Sequence, residues 1–209
     1  MVVVRGESFK EVPPELAVFS VTVTARDKDR QAVLTRLADR AAELRTHLDA
    51  YPDAIERRET TGVQVSPDLK RGSERITAYT ASATTTVTVT DFSVLGELLL
   101  RLAQLDLASV SGPWWQLRPG STAGAEVRRA AIADALGRAR EYADAVGARI
   151  DRLVEIADEG TDSHHPMMRA MAVGLGAGGQ PELEIDPQLQ TVQATVVVRV
   201  TISEPTNLR

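Results

Sequence analysis

The chain has 209 residues, a formal net charge of −5 and no cysteine. Its hydrophobic fraction of 43 % and charged fraction of 25 % are typical of a folded globular protein and exclude a disordered or fibrous one. The acidic balance argues against nucleic acid or an anionic membrane as a general partner, and the lack of cysteine excludes disulfides, thiolate zinc sites and a cysteine nucleophile.

The start of the chain does not look like a secretory leader. Arg5, Gly6 and Glu7 follow the valines at positions 2–4, whereas a leader carries an apolar run of roughly 7–15 residues. The most apolar stretch, residues 94–105, contains charged residues and is shorter than the roughly 18 apolar residues of a membrane-spanning helix. We therefore expect a cytoplasmic location and no membrane span.

The first half of the chain alternates between strand and helix patterns. Residues 16–25 alternate apolar and polar side chains, which predicts a half-buried strand. A leucine stripe at helical spacing then predicts a helix that ends before Pro52 and packs on a sheet, the alternative being a short coiled-coil seam. A strand over 61–65, a hairpin loop over 68–74 and a long threonine-rich strand over 75–90 follow.

The second half continues the same mixture of elements. Asp91 is a good N-cap for a second helix, and a short strand is predicted at 114–117. A third helix is predicted over 122–146, with a buried stripe of Ile132, Leu136, Ala139, Ala143 and Val146, beside which Ala131 and Ala135 permit a close approach. Strands over 152–157 and 191–202 complete the chain. This order predicts an α+β fold: largely antiparallel sheet or sheets of long strands, with three main helices packed on one side.

Residues 159–190 show no period and are predicted to form a loop. A loop of this length in a compact domain is functional, disordered or conceals a short element. Gly174, Gly176 and Gly179 match the G-x-G-x-x-G pattern. The pattern binds a phosphate only between a strand and a long helix, and no such helix follows, so a flexible glycine loop is the favoured interpretation.

The same loop holds the candidate metal ligands. His164 and His165 lie close in sequence to three carboxylates and three methionines, namely Asp158, Glu159, Asp162, Met167, Met168 and Met171. These groups can ligate a metal, and the methionines favour copper. The alternative, which we favour, is a solvated loop whose methionines pack on the domain or on a partner. We therefore predict no metal site and no cofactor.

Catalytic patterns are absent from the sequence. There is no G-x-S-x-G, H-E-x-x-H, P-loop or EF-hand spacing, and His47 is predicted to be a surface histidine. We expect no catalytic residue and no enzymatic activity. Trp114 and Trp115 stand out because aromatic residues make up only 4 % of the chain. Strand alternation directs one ring into the core and the other to a hydrophobic groove or a subunit contact.

The order of these pieces resembles the SIMPL-domain family of bacterial proteins. The start, Val2-Val3-Val4-Arg5-Gly6-Glu7 followed by Val12-Pro13-Pro14-Glu15, is similar to the family's glycine-bearing first strand and its Pro-Asp step, with Glu15 in place of Asp. Ile76-Thr77-Ala78-Tyr79-Thr80-Ala81 resembles the Gly-Tyr-x-Ala strand, with Ala78 in place of Gly. The family's Pro-x-Tyr step appears only as Ser66-Pro67-Asp68.

The third helix carries the strongest part of the resemblance. It is rich in alanine, ends at Gly147 and is followed by Leu153-Val154-Glu155-Ile156, as in the family. The resemblance implies a single domain over residues 1–209 with a variable loop at 159–190. The family has no agreed activity, so no functional residue is carried over. Many of its members carry a leader and look periplasmic.

Together these observations favour a non-enzymatic binding or assembly module that associates with itself. A homo-oligomer is expected, a protein partner is an open alternative, and no nucleic acid is expected. The second interpretation is a small-molecule or metal-binding protein that uses the 159–190 loop as a lid. An enzyme of unrecognised type is the third, because residues scattered along a chain converge in space without a sequence signature.

Overall fold

The computed structural model of the chain describes residues 1–164 and 183–207, with side chains through residue 159 and again from residue 183. In chain order the elements are β1 (Val2–Val12), β2 (Leu16–Asp27), α1 (Arg30–Leu48), β3 (Ile55–Leu69), β4 (Ile76–Val89), a 3-10 turn (Phe92–Val94), α2 (Leu95–Ala103), β5 (Ala108–Gln116), α3 (Ala123–Ala145), β6 (Ile150–His164) and β7 (Gln190–Ile202). Every strand pairing is antiparallel, and the predicted α+β class is confirmed.

The chain forms two compact units, each with its own hydrophobic core. Unit 1 comprises residues 1–14, 117–164 and 188–207, and unit 2 comprises residues 15–116 and 183–187. Unit 1 contains the three-stranded sheet β1-β7-β6 with α3, and unit 2 contains the four-stranded sheet β3-β4-β2-β5 with α1 and α2. That residues 1–209 form a single domain stays a prediction.

The core of unit 2 lies between its sheet and its two helices. The predicted alternation in β2 is confirmed, because Phe19, Val21 and Val23 are buried while the alternating polar residues Ser20, Thr22 and Thr24 are half-buried. The α1 stripe packs on β2 and β4 rather than on a second helix, which confirms the sheet-packing interpretation. Asp29 caps α1, since its Oδ2 accepts the Ala32 N–H at 2.7 Å; this satisfies a backbone donor that the helix cannot pair itself.

Two strands of unit 2 begin earlier than predicted. β3 begins at Ile55 and not at residue 61. The sequence pattern misses its first half because these residues are exposed on both faces at the sheet edge and therefore show no alternation of apolar and polar side chains. Pro67 does not stop it, since proline is tolerated on edge strands. β5 begins at Ala108 and passes through Gly112 at a φ of 112°. The register between β5 and β2 shifts at this point. The shift breaks the alternation of apolar and polar residues along β5.

Unit 1 is built around β7, which lies between β1 and β6. The predicted alternation of the last strand is confirmed, because its inward row is buried beneath α3: Val192, Ala194, Val196, Val198 and Val200. β1 pairs with β7 along its whole length, from Val2 opposite Val200 to Val12 opposite Gln190. The sequence patterns alone did not predict β1; only the family resemblance pointed to it.

The buried face of α3 differs from the predicted stripe. Its buried residues recur every fourth position and are almost all alanine: Ala123, Val127, Ala131, Ala135, Ala139 and Ala143. Ile132 and Leu136 flank this face and are only half-buried. The reason is the close approach of β1, where a Cβ on Gly6 would lie 2.6 Å from the Ala135 Cβ. Larger side chains do not fit between backbones at this distance.

The carboxylate of Asp134 on α3 joins this helix to β1. Oδ2 of Asp134 accepts the backbone N–H of Glu7 at 3.0 Å and lies 3.1 Å from Nε of Arg138. The Glu7 N–H, assisted by the Arg138 guanidinium, holds the pKa of Asp134 below its ordinary value. A hydrogen bond to the ionised form stabilises that form, so Asp134 joins α3 to β1 as a carboxylate.

The predicted 159–190 loop is shorter than expected at both ends. β6 continues to His164, beyond the predicted end at residue 157, and its last residues pair with β7 as far as His164 opposite Thr191. The register is irregular between Asp158 and Thr161, which breaks the alternation that would have revealed the strand. Residues 183–189 have no regular secondary structure. The rest of the predicted loop, 165–182, lies outside the described residues.

Candidate functional site

Strand β6 is the most exposed long strand of unit 1. It has 15 residues, forms one edge of the three-stranded sheet and pairs with β7 alone among the described strands. α3 packs mainly on β1 and β7 and leaves the β6 side of the sheet uncovered. Its outer backbone N–H and C=O groups therefore face away from the sheet, the arrangement that accepts a further strand.

Three large apolar side chains lie next to one another on β6. Leu153 is 46 % exposed, Val154 is 48 % exposed and Ile156 is 44 % exposed. Leu153 and Ile156 lie opposite Val200 and Val198, so they continue the apolar face of β7. The two valines are buried beneath α3, whereas their neighbours on β6 extend beyond the helix. We call Leu153, Val154 and Ile156 the β6 patch.

Two charged side chains of β6 contact residues of the neighbouring strand β7. Glu155 lies 3.4 Å from Arg199, and the Thr201 hydroxyl donates to Asp151 at 3.1 Å. Both interactions join β6 to β7 and stabilise the existing pairing. They are exposed, so each contributes little to stability.

The two tryptophans lie on β5, an edge strand of unit 2. Trp115 is the ring that enters the core, as predicted for one of the two, and its centroid lies 5.0 Å from that of Phe92 in an edge-to-face arrangement. Trp114 is 38 % exposed. That Trp114 covers a groove or a subunit contact stays a prediction.

A cavity of about 1080 Å³ lies beside α2 in unit 2. One wall is the exposed side of α2, and the other is residues 183–186, which belong to the predicted loop. The carbonyl of Leu183 occupies the place where a side chain on Gly96 would lie. At the rim, the Tyr51 hydroxyl donates to Glu97 at 2.8 Å and accepts from Arg101 at 3.3 Å.

The Ser93 hydroxyl, which lines this cavity, is hydrogen-bonded to Asp91 at the start of the 3-10 turn. Ser93 Oγ donates to Asp91 Oδ1 at 2.6 Å, and the same oxygen accepts the Ser93 N–H at 3.0 Å. These two bonds from Ser93 lower the pKa of Asp91. None of the described residues that line the cavity is a histidine. Asp91 is an N-cap, as predicted, but it caps the 3-10 turn at Phe92–Val94 that precedes α2 rather than α2 itself.

The remaining predicted sites fall largely outside the described part of the chain. Gly174, Gly176 and Gly179 lie there, as do His165 and the three methionines 167, 168 and 171, while the side chains of Asp162 and His164 are not described. Where side chains are described, no three His, Asp or Glu residues gather into a group that could hold a metal. His47 is half-buried on α1. No described helix is long and apolar enough to cross a membrane.

Within the described residues the fold has two antiparallel sheets and three α-helices, and a glycine of the first strand lies beneath an alanine-rich helix. The chain belongs to the SIMPL family, described as a protein of unknown function (DUF541), whose family model matches residues 2–200. It is similar to the 26 kDa periplasmic immunogenic proteins of Brucella melitensis biotype 1 and Brucella abortus strain S19. Each is 29 % identical over 189 aligned positions, and the match covers 83 % of this chain and 71 % of the relative.

The expected cytoplasmic location is wrong, because both relatives are named as periplasmic proteins. The expectation depended on the absence of a leader at Val2–Glu7. A leader is removed when a protein is exported, so the first residues of a chain do not report its compartment. The absence of cysteine is equally compatible with an oxidising compartment, so it does not distinguish the periplasm from the cytoplasm.

Proposed function

We propose that the protein is a non-enzymatic, self-associating assembly module of the periplasm, and that copies meet through β6. The observation that carries this proposal is the β6 patch: three adjacent apolar residues, 44–48 % exposed, on a 15-residue edge strand. Edge strands of monomeric proteins are protected by charge, proline or a covering element. β6 carries charged residues, but it also exposes the apolar patch, and the helix of its unit packs mainly on the other two strands.

Antiparallel pairing of two β6 strands provides partners both for the outer backbone groups of this strand and for its exposed apolar patch. Backbone hydrogen bonds form along the outer edge, and the β6 patches of the two copies pack beside each other about a twofold axis. An isologous contact of this kind buries the same apolar side chains from each copy. The periplasmic location is supported by the names of the two Brucella relatives.

Val154→Lys tests the interface without disturbing the fold of the monomer. Val154 is half exposed, so far-UV circular dichroism and the melting temperature should not change. In the paired state the lysine is buried without a partner, and we expect the dissociation constant to rise roughly 100-fold, or about 3 kcal/mol. Native mass spectrometry and sedimentation across micromolar concentrations give the subunit number.

The matched control is Leu69→Lys, which places the same charge at an exposed leucine on β3, the edge strand of the other sheet. It should leave the subunit number unchanged. A wild-type protein that stays monomeric at all concentrations refutes self-association. An oligomer that is equally sensitive, or equally insensitive, to both substitutions refutes the role of β6. Release of the chain by osmotic shock of its bacterium tests the periplasmic location.

A second candidate function, small-molecule binding, is favoured by the cavity beside α2. Its volume of about 1080 Å³ lies just above the roughly 300–1,000 Å³ of ligand pockets, and residues 183–186 form one wall. Gly96→Leu would displace this wall and abolish binding. Native mass spectrometry of protein purified without added metal would detect a retained ligand, and His164→Ala with His165→Ala tests whether any retained metal depends on the two histidines.

A further inference from the structure

A second, smaller cleft lies on the helix side of the sheet in unit 2. α1 packs on β2 and β4, while β3, the fourth strand, lies beyond the reach of the helix. The gap between α1 and β3 is an elongated cleft of about 400 Å³, floored by the small side chains Ala83 and Thr85 of β4. The small floor residues leave the cleft deep enough for a ligand.

The walls of the cleft are apolar along most of its length. The helix supplies leucines and alanines, among them Leu34, Leu37, Ala38 and Ala41, and the strand supplies Val63. Val63 is 64 % exposed, although it lies opposite the buried Ala83 and so continues the apolar face of the sheet. Exposed apolar surface of this kind, in a cleft, is typical of a binding groove.

The charge of the cleft is concentrated at one end. Arg45 and Arg58 line it near the C-terminal end of α1, where Arg58 lies 2.5 Å from Asp49. Glu59 also borders the cleft, but its carboxylate is 3.3 Å from Arg57. Within the described residues, the Arg45 side chain forms no hydrogen bond or ion pair, so its guanidinium has its donors free.

We infer that this cleft binds a single-chain amphiphile with a carboxylate head, of the fatty-acid class. The apolar trough takes the alkyl chain, and Arg45, supported by Arg58, takes the carboxylate, a geometry to which guanidinium groups are suited. From Leu34 to Arg45 the trough follows 11 residues of α1, about 16 Å at the helical rise. Dodecanoate has an extended chain of this length. The cleft volume lies within the range of small-ligand pockets, roughly 300–1,000 Å³.

The test is titration calorimetry of the full chain with dodecanoate, below its micelle concentration, and with the neutral dodecanol and the cationic dodecylammonium. We expect one dodecanoate per chain. Arg45→Gln should weaken dodecanoate about tenfold and leave dodecanol unchanged, while Arg30→Gln, at the other end of α1, should change neither. Absence of dodecanoate binding, or stronger binding of dodecylammonium, overturns the inference.

Two alanine-to-tryptophan variants on α1 test whether the ligand lies in this cleft. Ala38 is exposed and lines the cleft, whereas Ala42 is exposed on the same helix and does not line it. Ala38→Trp should weaken dodecanoate at least roughly tenfold by filling the trough, and Ala42→Trp should not. Equal binding by both variants overturns the inference. So does a change in subunit number caused by Ala38→Trp alone, since a second copy would then be the occupant. Co-sedimentation with phosphatidylglycerol vesicles, without binding of free dodecanoate, assigns the surface to a membrane and likewise overturns it.

Discussion

Gly6→Ala is expected to destabilise the protein because there is no space for a methyl group between β1 and α3. A Cβ at this position would lie 2.6 Å from both the Cβ and the backbone N of Ala135, and still closer to the Ala131 carbonyl oxygen. Backbone atoms of a helix cannot move aside as a flexible side chain does, so helix and strand must separate. Overpacking of this kind costs roughly 2–3 kcal/mol.

Part of this cost is offset in the unfolded state. Alanine restricts the unfolded chain more than glycine does, which stabilises the folded protein by about 0.4–1 kcal/mol where the backbone angles permit alanine. The net loss is then about 1–2 kcal/mol, and the melting temperature of a chain of this size falls by roughly 3–6 °C. Thermal and urea unfolding followed by far-UV circular dichroism measure both quantities.

Gly62→Ala is the matched control. Gly62 also lies in an edge strand, but no atom lies within 4 Å of its added Cβ, so only the unfolded-state gain applies. We expect no loss of stability, or a gain of up to about 1 kcal/mol. If both variants unfold at the same temperature, the close approach of α3 to β1 is not what requires glycine at position 6.

Three further outcomes follow from contacts described above. Ala139→Leu should cost roughly 1–3 kcal/mol in urea unfolding because it adds volume beneath α3, while Ala133→Leu on the exposed face should be nearly neutral. Asp134→Asn should lower the free energy of unfolding by about 1 kcal/mol near neutral pH. Because the folded pKa of Asp134 is depressed, its contribution is complete above the ordinary pKa of 3.8 and is lost as pH falls through the folded pKa. The difference from wild type should therefore shrink in acid, and a difference that grows in acid would refute the assignment. A double-mutant cycle with Phe92→Leu and Trp115→Leu should give a coupling of about 1 kcal/mol, and additive effects would contradict the edge-to-face contact.

The central elements could be predicted from the sequence because burial imposes a period on them. β2 and β7 pack one face on a helix, and their alternation is unbroken. Edge strands lack this constraint: the first half of β3 is exposed on both faces, and the register of β6 is irregular near its end. Neither position therefore carries the pattern of a strand.

The candidate interface and cleft depend on information that is not in the local sequence. The β6 patch is exposed because α3 covers β1 and β7, and the helix approaches β1 closely because of Gly6, which is distant in sequence. Likewise Arg45 and Val63 border one cleft only because β3 pairs with β4 outside the reach of α1. The burial of Trp115, in contrast, follows from local sequence, since strand alternation alone predicts that one ring of Trp114 and Trp115 enters the core.

The position of β7 has a consequence for how the chain acquires its structure during synthesis. The central strand of unit 1 is synthesised long after its partner β1, because the sheet of unit 2 lies between the two strands in the sequence. At 5–20 residues per second, β1 waits roughly 10–40 s for its neighbour. The sheet of unit 2 comes from one continuous stretch, residues 15–116, and its strands are complete while β1 is still unpaired. A nascent chain of this protein thus carries an open valine-rich strand until β7 is synthesised, and any factor that holds the unfolded chain has its target there.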